Sequence, residues 1–182
     1  STLDRSSAAS DVYKRQIKDI LEGNKTAISH AEARDIVNKY FAELEEKMNA
    51  ASIEQGVQFL EENKKRPNVV TLPSGLQYEV INEGKVGTYA KATDQVKCHY
   101  EGTLIDGTLF DSSIKRGQPA IFGVNQVIPG WVEALQLMPE GAKWKLYIPS
   151  DLAYGAQGAG EMIPPHSTLI FEVELLEILS QK

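Results

Sequence analysis

HYEGTLIDGTLFDSS, residues 99–113, reads as a β-hairpin. The run QVKCHYEGTL (95–104) is rich in strand-favouring residues. Asp106-Gly107 supplies a two-residue turn, because glycine tolerates positive φ and aspartate nearly does. A second strand then carries Leu109, Phe110 and Asp111. Alternation puts Phe110 and Asp111 on opposite faces unless the strand bulges or ends there. An aromatic beside an acid at the end of a hairpin strand suits the mouth of a site. VIPGW, residues 127–131, adds a helix start: Pro129-Gly130 opens a short helix to about Leu137, with Val132, Leu135 and Gln136 or Met138 at helical spacing.

Strands surround this centre. VVTLPSGLQYEVI (69–81) is two strands joined at Pro73-Ser74-Gly75, and NEGKVGTYAKATD (82–94) reads as a loop. Ala120 to Val124 is a short strand after the Arg116–Pro119 break. AKWKLYIPS (142–150) alternates, with Trp144, Leu146 and Ile148 on one face and Lys143, Lys145 and Tyr147 on the other. Residues 152–165 form a Gly-rich loop, and the last strand, Ser167 to Leu179, alternates Leu169, Phe171, Val173 and Leu175. Several antiparallel strands with one short helix define an α+β domain over residues 67–182.

Upstream the texture is helical. Ser29 and Glu32 fit a capping box, and no proline interrupts the chain from there to Pro67. The expected helix, about His30 to Lys65, is roughly 50 Å long. Its apolar stripe is dense at Ile36, Val37, Tyr40, Phe41, Leu44 and Met48 and thinner beyond, where Gly56 breaks it. We read it as a spacer whose first half packs on another helix and whose last turns meet the next domain, within a helical region, residues 17–66, that is truncated. Ile17, Ile20 and Leu21 are the tail of an earlier helix, and residues 1–16 read as a non-native leader.

Composition narrows the function. The chain has 182 residues, 42% hydrophobic and 24% charged, so it has material for a core. A net charge of −6 argues against a general nucleic-acid binder, and no apolar run reaches the ~20 residues of a membrane span. No secretory signal is visible, which tilts localisation towards the cytoplasm. Cys98 is the one cysteine; strand alternation turns it away from His99, so a Cys–His nucleophilic pair is not expected. No His/Cys/Asp/Glu group has metal-like spacing, GAQGAG (155–160) lacks the Lys-Ser/Thr of a phosphate loop, and no Gly-x-Ser-x-Gly elbow occurs. The three histidines have no motif partner, so a hydrolase is poorly supported and no cofactor is expected. What remains is a set of aromatics, which in strands are by default core.

Four blocks change that default. HYEGTLIDGTLFDSS, VIPGWVEAL, LAYG and IPPHSTLIFEVEL, in that order, resemble the FKBP-type peptidyl-prolyl cis-trans isomerases. The helical part resembles the N-terminal half of the two-domain, Mip-like bacterial members. The resemblance implies a curved antiparallel sheet wrapped around the short helix, and an isomerase acting on folding chains. It implies Trp131 as the floor of a pocket, with Tyr100, Phe122, Val127, Ile128 and Phe171 as walls. The Ile128 N–H and the Tyr154 hydroxyl would hold substrate carbonyls, and Asp111 would face the carbonyl region and pair with Arg116. Phe110 and Ile163 would complete the rim, with the Gly-rich loop as a flap. Ala120 departs from the aromatic that many eukaryotic members carry there, which opens one wall. The partners implied are proline-containing polypeptides, macrolide inhibitors as ligands to test, and a second copy bound through intact N-terminal helices. Mip-like members also occur in the periplasm or at the outer membrane. The competing reading is a proline-peptide-binding chaperone module with little turnover.

Overall fold

The computed structural model describes residues 30–179 together with Lys14, Arg15 and Lys18, which are helical. The leader, the helix tail at 17–22 and the cap residue Ser29 lie outside the described residues. The chain divides into two compact units, Ser1–Ala51 and Ser52–Lys182.

In the first unit the described structure is chiefly the beginning of helix α1 (His30–Asn63). Phe41, Leu44 and Met48 of its apolar stripe are exposed. The units part inside α1, and the last helical turns pack within the second unit. There the Phe59 ring lies 6.0 Å from that of Tyr147. The Asn63 amide donates to Gln77 Oε1 at 2.8 Å, and the Gln77 amide donates to the Leu60 carbonyl at 3.0 Å. Arg66 donates to Asn63 Oδ1, to the Tyr147 hydroxyl and to both Glu79 oxygens, all within 3.1 Å. Tyr147, grouped with two lysines on the outer face by alternation, is therefore 2% exposed. Gly56 is not a break in the stripe. It is buried where a Cβ would stand 2.5 Å from Thr168 Oγ1.

The second unit is built on antiparallel strands: β1 (Val69–Thr71), β2 (Gln77–Asn82), β3 (Lys85–Tyr89), β4 (Gln95–Leu104), β5 (Leu109–Ser112), β6 (Ala120–Gly123), β7 (Pro139–Glu140), β8 (Lys143–Ile148) and β9 (Leu169–Ile178). The main sheet runs β1-β2-β8-β9-β4-β5, with β6 paired to the other half of β4. The loop expected over 82–94 contains β3, which pairs with β7 in a second small sheet. Its exposed Lys-Val-Gly-Thr-Tyr sequence carries little hydrophobic signal of its own. Two short α-helices, α2 (Ser113–Arg116) and α3 (Pro129–Leu137), and three 3-10 turns complete the described part of the unit. The fold is thus α+β, an antiparallel sheet with one short helix against it.

Helix α3 buries Trp131, Ala134, Leu135 and, just beyond its end, Met138. The buried face is therefore this i, i+3, i+4, i+7 set and not the one starting at Val132. Gly130 lets the helix approach the sheet: a Cβ there would lie 2.7 Å from Ile148 Cγ2. Opposite stand Leu146, Ile148, Leu169, Val173 and Leu175, all fully buried. In β9 a register shift after Leu175 turns Ile178 inward as well.

Candidate active site

The hairpin at the centre differs from a two-residue turn. Gly107 donates to the Leu104 carbonyl at 3.0 Å, and Leu104 donates to the Thr108 carbonyl at 2.9 Å. The loop is Ile105-Asp106-Gly107, closed by Gly107 at φ 92, while Asp106 keeps a negative φ. The Asp106 carboxylate instead accepts from the Thr108 N–H at 2.9 Å.

The strand below the turn is bulged. Gly102 pairs with Asp111 but Thr103 pairs with Leu109, so Phe110 is the extra residue. The bulge breaks alternation, and both Phe110 and Asp111 line the same cleft. Gly102 makes room for this. A Cβ there would be 2.5 Å from Phe110 Cζ and 2.6 Å from Phe171 Cε1, rings whose centroids lie 5.4 Å apart edge to face.

The cleft has a volume of about 600 Å³ and is lined by Tyr100, Phe110, Asp111, Phe122, Gln126, Val127, Ile128, Trp131, Tyr154, Ala159, Met162, Ile163 and Phe171. All ten residues singled out in the sequence come together here. Gln126, Ala159 and Met162 are the three lining residues not among those ten. Gln126 folds over Gly123, where a Cβ would meet its Oε1 at 2.6 Å, and only that glycine marks the place in sequence. Trp131 is 4% exposed. Three rings meet it nearly edge-on: Tyr100 at 5.2 Å, Phe122 at 5.4 Å and Phe171 at 5.2 Å. Ile128 is the N-cap of α3. Its carbonyl accepts from Trp131 at 2.9 Å and Val132 at 3.1 Å.

One polar network faces this apolar wall. The Tyr100 hydroxyl donates to Asp111 Oδ2 at 2.6 Å, Arg116 Nη1 donates to Asp111 Oδ1, and Arg116 Nη2 donates to the Tyr100 oxygen at 2.9 Å. The guanidinium also lies over the Tyr100 ring, 5.6 Å from its centroid. Burial pushes the Asp111 carboxyl up, but the Tyr100 and Arg116 hydrogen bonds and the Arg116 charge outweigh it and hold the group below the usual carboxylate range. Burial, and then the bond to Asp111, push the Tyr100 phenol up. The acid is thus anionic and the phenol neutral at physiological pH.

Ser113 carries a role that the sequence did not signal. β4 pairs with β6 in its first half and with β5 in its second. Between them the Ser113 hydroxyl accepts from the Tyr100 N–H at 2.7 Å and donates to the Tyr100 carbonyl at 3.2 Å. It replaces the missing strand and fixes the backbone that carries the phenol. His99 does have a partner after all, since its Nδ1 lies 2.9 Å from the same oxygen. Ser113 is fully buried, with its hydroxyl committed to the backbone, so the pair is not an exposed nucleophile.

The far wall is a tight hairpin. Ala159 and Ile163 exchange backbone hydrogen bonds of 2.9 and 3.1 Å, and Gly158 and Gly160 take positive φ, 66° and 55°. No group of three or more His, Cys, Asp or Glu side chains among the described residues has the arrangement of a metal site.

The cleft and the fold agree with what the chain is similar to. A family model described as FKBP-type peptidyl-prolyl cis-trans isomerase matches residues 87–176, and one described as the domain amino terminal to it matches residues 4–80. The chain is 53% identical over 170 residues to an FKBP-type 22 kDa peptidyl-prolyl cis-trans isomerase of Escherichia coli K12, covering 90% of this chain and 80% of that protein. It is 42% identical over 175 residues to an outer membrane protein MIP of Legionella longbeachae, covering 92% of this chain and 75% of that one. Among solved structures, FkpA from Escherichia coli superposes with a TM-score of 0.72 at 34% identity, over 97% of this chain and 89% of the other.

Proposed function

The chain belongs to the FKBP-type peptidyl-prolyl cis-trans isomerases, and we propose that its aromatic cleft is where it rotates Xaa-Pro bonds in polypeptides. The observation that carries this is the meeting of Trp131, three edge-on rings and the Asp111 network in one cleft. Amide rotation is opposed by resonance, with a barrier of about 18–20 kcal/mol. In the twisted transition state the nitrogen loses conjugation and the carbonyl loses its amide dipole, so water favours the planar ground state. A proline ring seated on Trp131 between Tyr100, Phe122 and Phe171 sheds that water. Each tenfold acceleration needs about 1.4 kcal/mol of preference for the twisted form. The Ile128 N–H and the Tyr154 hydroxyl hold the flanking carbonyls. The Asp111 carboxylate, fixed by Tyr100 and Arg116, faces the rotating carbonyl and favours the twisted arrangement electrostatically. No bond is made or broken, so no nucleophile or proton transfer enters.

The N-terminal part, residues 17–66, pairs two copies of the chain, a reading supported by the exposed Phe41, Leu44 and Met48 stripe and by the family match from residue 4. Residues 67–182 form the isomerase domain. No helix among the described residues is long and apolar enough to cross a membrane. A relative named as an outer membrane protein favours the cell envelope, and the cytoplasmic expectation finds no support among the relatives.

The test is cis-to-trans relaxation of short Xaa-Pro peptides, with and without a macrolide. Acceleration that the macrolide abolishes is expected, and it locates the activity in the cleft. A folded sample that accelerates no peptide, whatever the Xaa residue, overturns the reading and leaves a proline-peptide-binding module.

A further inference from the structure

The cleft wall carries a single sulfur. The chain has three methionines. Met138 is fully buried, Met48 is 63% exposed on α1 and does not line the cleft, and Met162 is 49% exposed and does. Met162 cannot easily retract. The Ala159–Ile163 exchange leaves Gly160, Glu161 and Met162 as the tip of a closed hairpin. Gly158 seals its base, where a Cβ would lie 2.3 Å from the Ile163 carbonyl. The neighbouring Ile163 is 6% exposed, so the thioether stands at the boundary between a dry wall and solvent. A solute reaches it as easily as a substrate does.

We propose that Met162 is an oxidative modification site through which hydrogen peroxide reversibly lowers the activity of the cleft. The inference rests on the cleft being the isomerase site. In the reaction the sulfur lone pair attacks one peroxide oxygen. The S–O bond forms as the O–O bond breaks, and the departing hydroxide takes the remaining proton and leaves as water. Sulfur loses two electrons and the peroxide gains them. The product is a polar sulfoxide, a hydrogen-bond acceptor in place of a soft apolar group. It holds water at a wall whose dryness favours the twisted amide, so transition-state binding falls.

The full chain is treated with dilute hydrogen peroxide, each methionine is followed by peptide mass spectrometry, and kcat/KM is measured on an Xaa-Pro peptide. Met162 oxidises well before Met138, and kcat/KM falls about tenfold, the factor that about 1.4 kcal/mol of lost transition-state stabilisation gives. Methionine sulfoxide reductases A and B with dithiothreitol restore it. Met48→Leu starts from wild-type activity and falls to the same extent. Met162→Leu, whatever its starting activity, changes by less than about twofold on oxidation, because no reachable sulfur remains in the cleft. Full activity with Met162 oxidised, or equal inactivation of Met162→Leu, overturns the proposal. Untreated protein without activity would instead overturn the isomerase reading, so the two failures are distinct.

Discussion

Asp111 is one carboxylate with three neighbours to satisfy: a phenol, a guanidinium and the cleft itself. Asp111→Leu leaves the Tyr100 hydroxyl without its acceptor and Arg116 with the Tyr100 oxygen alone. It is expected to lower kcat/KM while circular dichroism shows a folded chain. Asp111→Asn keeps the shape and isolates the charge. The sign of the pH effect follows from the depressed carboxyl. Its stabilisation is present above the unfolded pKa and is lost as pH falls through the folded value. A plot of thermal midpoint against pH should therefore drop on the acid side, and less steeply in Asp111→Asn. Equal slopes would mean that the network does not hold the charge. Trp131 is a harder residue to test. It is buried among three rings, so Trp131→Ala also opens a core cavity, costing about 3–5 kcal/mol. Trp131→Leu is the better variant: activity should fall while cooperative unfolding survives.

The β4–β5 hairpin turns a sequence conflict into a site. An aromatic and an acid in succession cannot share a face of a regular strand. The bulge at Phe110 resolves the conflict, and Gly102 opposite provides the space. Gly102→Ala drives a methyl into Phe110 and Phe171. Overpacking of this kind costs about 1–3 kcal/mol, and here it also displaces two cleft walls. Urea unfolding and peptide kinetics on the same sample should both change. A loss of stability with unaltered kcat/KM would show that the rings relax away from the cleft. The end of α1 makes a similar point in polar terms. Asn63→Ala leaves Gln77 Oε1 buried without its donor, and a loss of about 1–3 kcal/mol in urea unfolding is expected.

At the scale of the molecule, Cys98 reports on the core as a whole. It is fully buried in the middle of β4, and burial pushes its thiol up to about 12. A thiol reagent at neutral pH should label it only through global opening, at a rate that falls with added macrolide if the cleft binds it. Fast labelling of the folded protein would mean that the sheet opens locally at β4. The pairing of two copies is tested by sedimentation, where Phe41→Glu and Leu44→Glu together should shift the chain to monomers without changing kcat/KM on a short peptide. A wild-type monomer at all concentrations would remove the dimer reading.

Local chemistry was enough to mark the elements. Glycine and proline marked the turns at 73–75 and 106–107 and the start of α3 at 129–130, and alternation marked β8 and β9. Ordered blocks drew the aromatics, Asp111 and Tyr154 into one candidate site. Tertiary structure decided whatever depends on what lies across the sheet. β3 is exposed and holds its place through β7, so its own residues carry no pattern. Tyr147 sits among lysines in sequence and is buried because the end of α1 covers it. The third residue of the hairpin loop and the bulge at Phe110 are matters of register, which is a property of two strands and not of one. Ser113 is the sharpest case. A serine hydroxyl has no periodicity to betray it, and its role exists only because two strands end on either side of Tyr100.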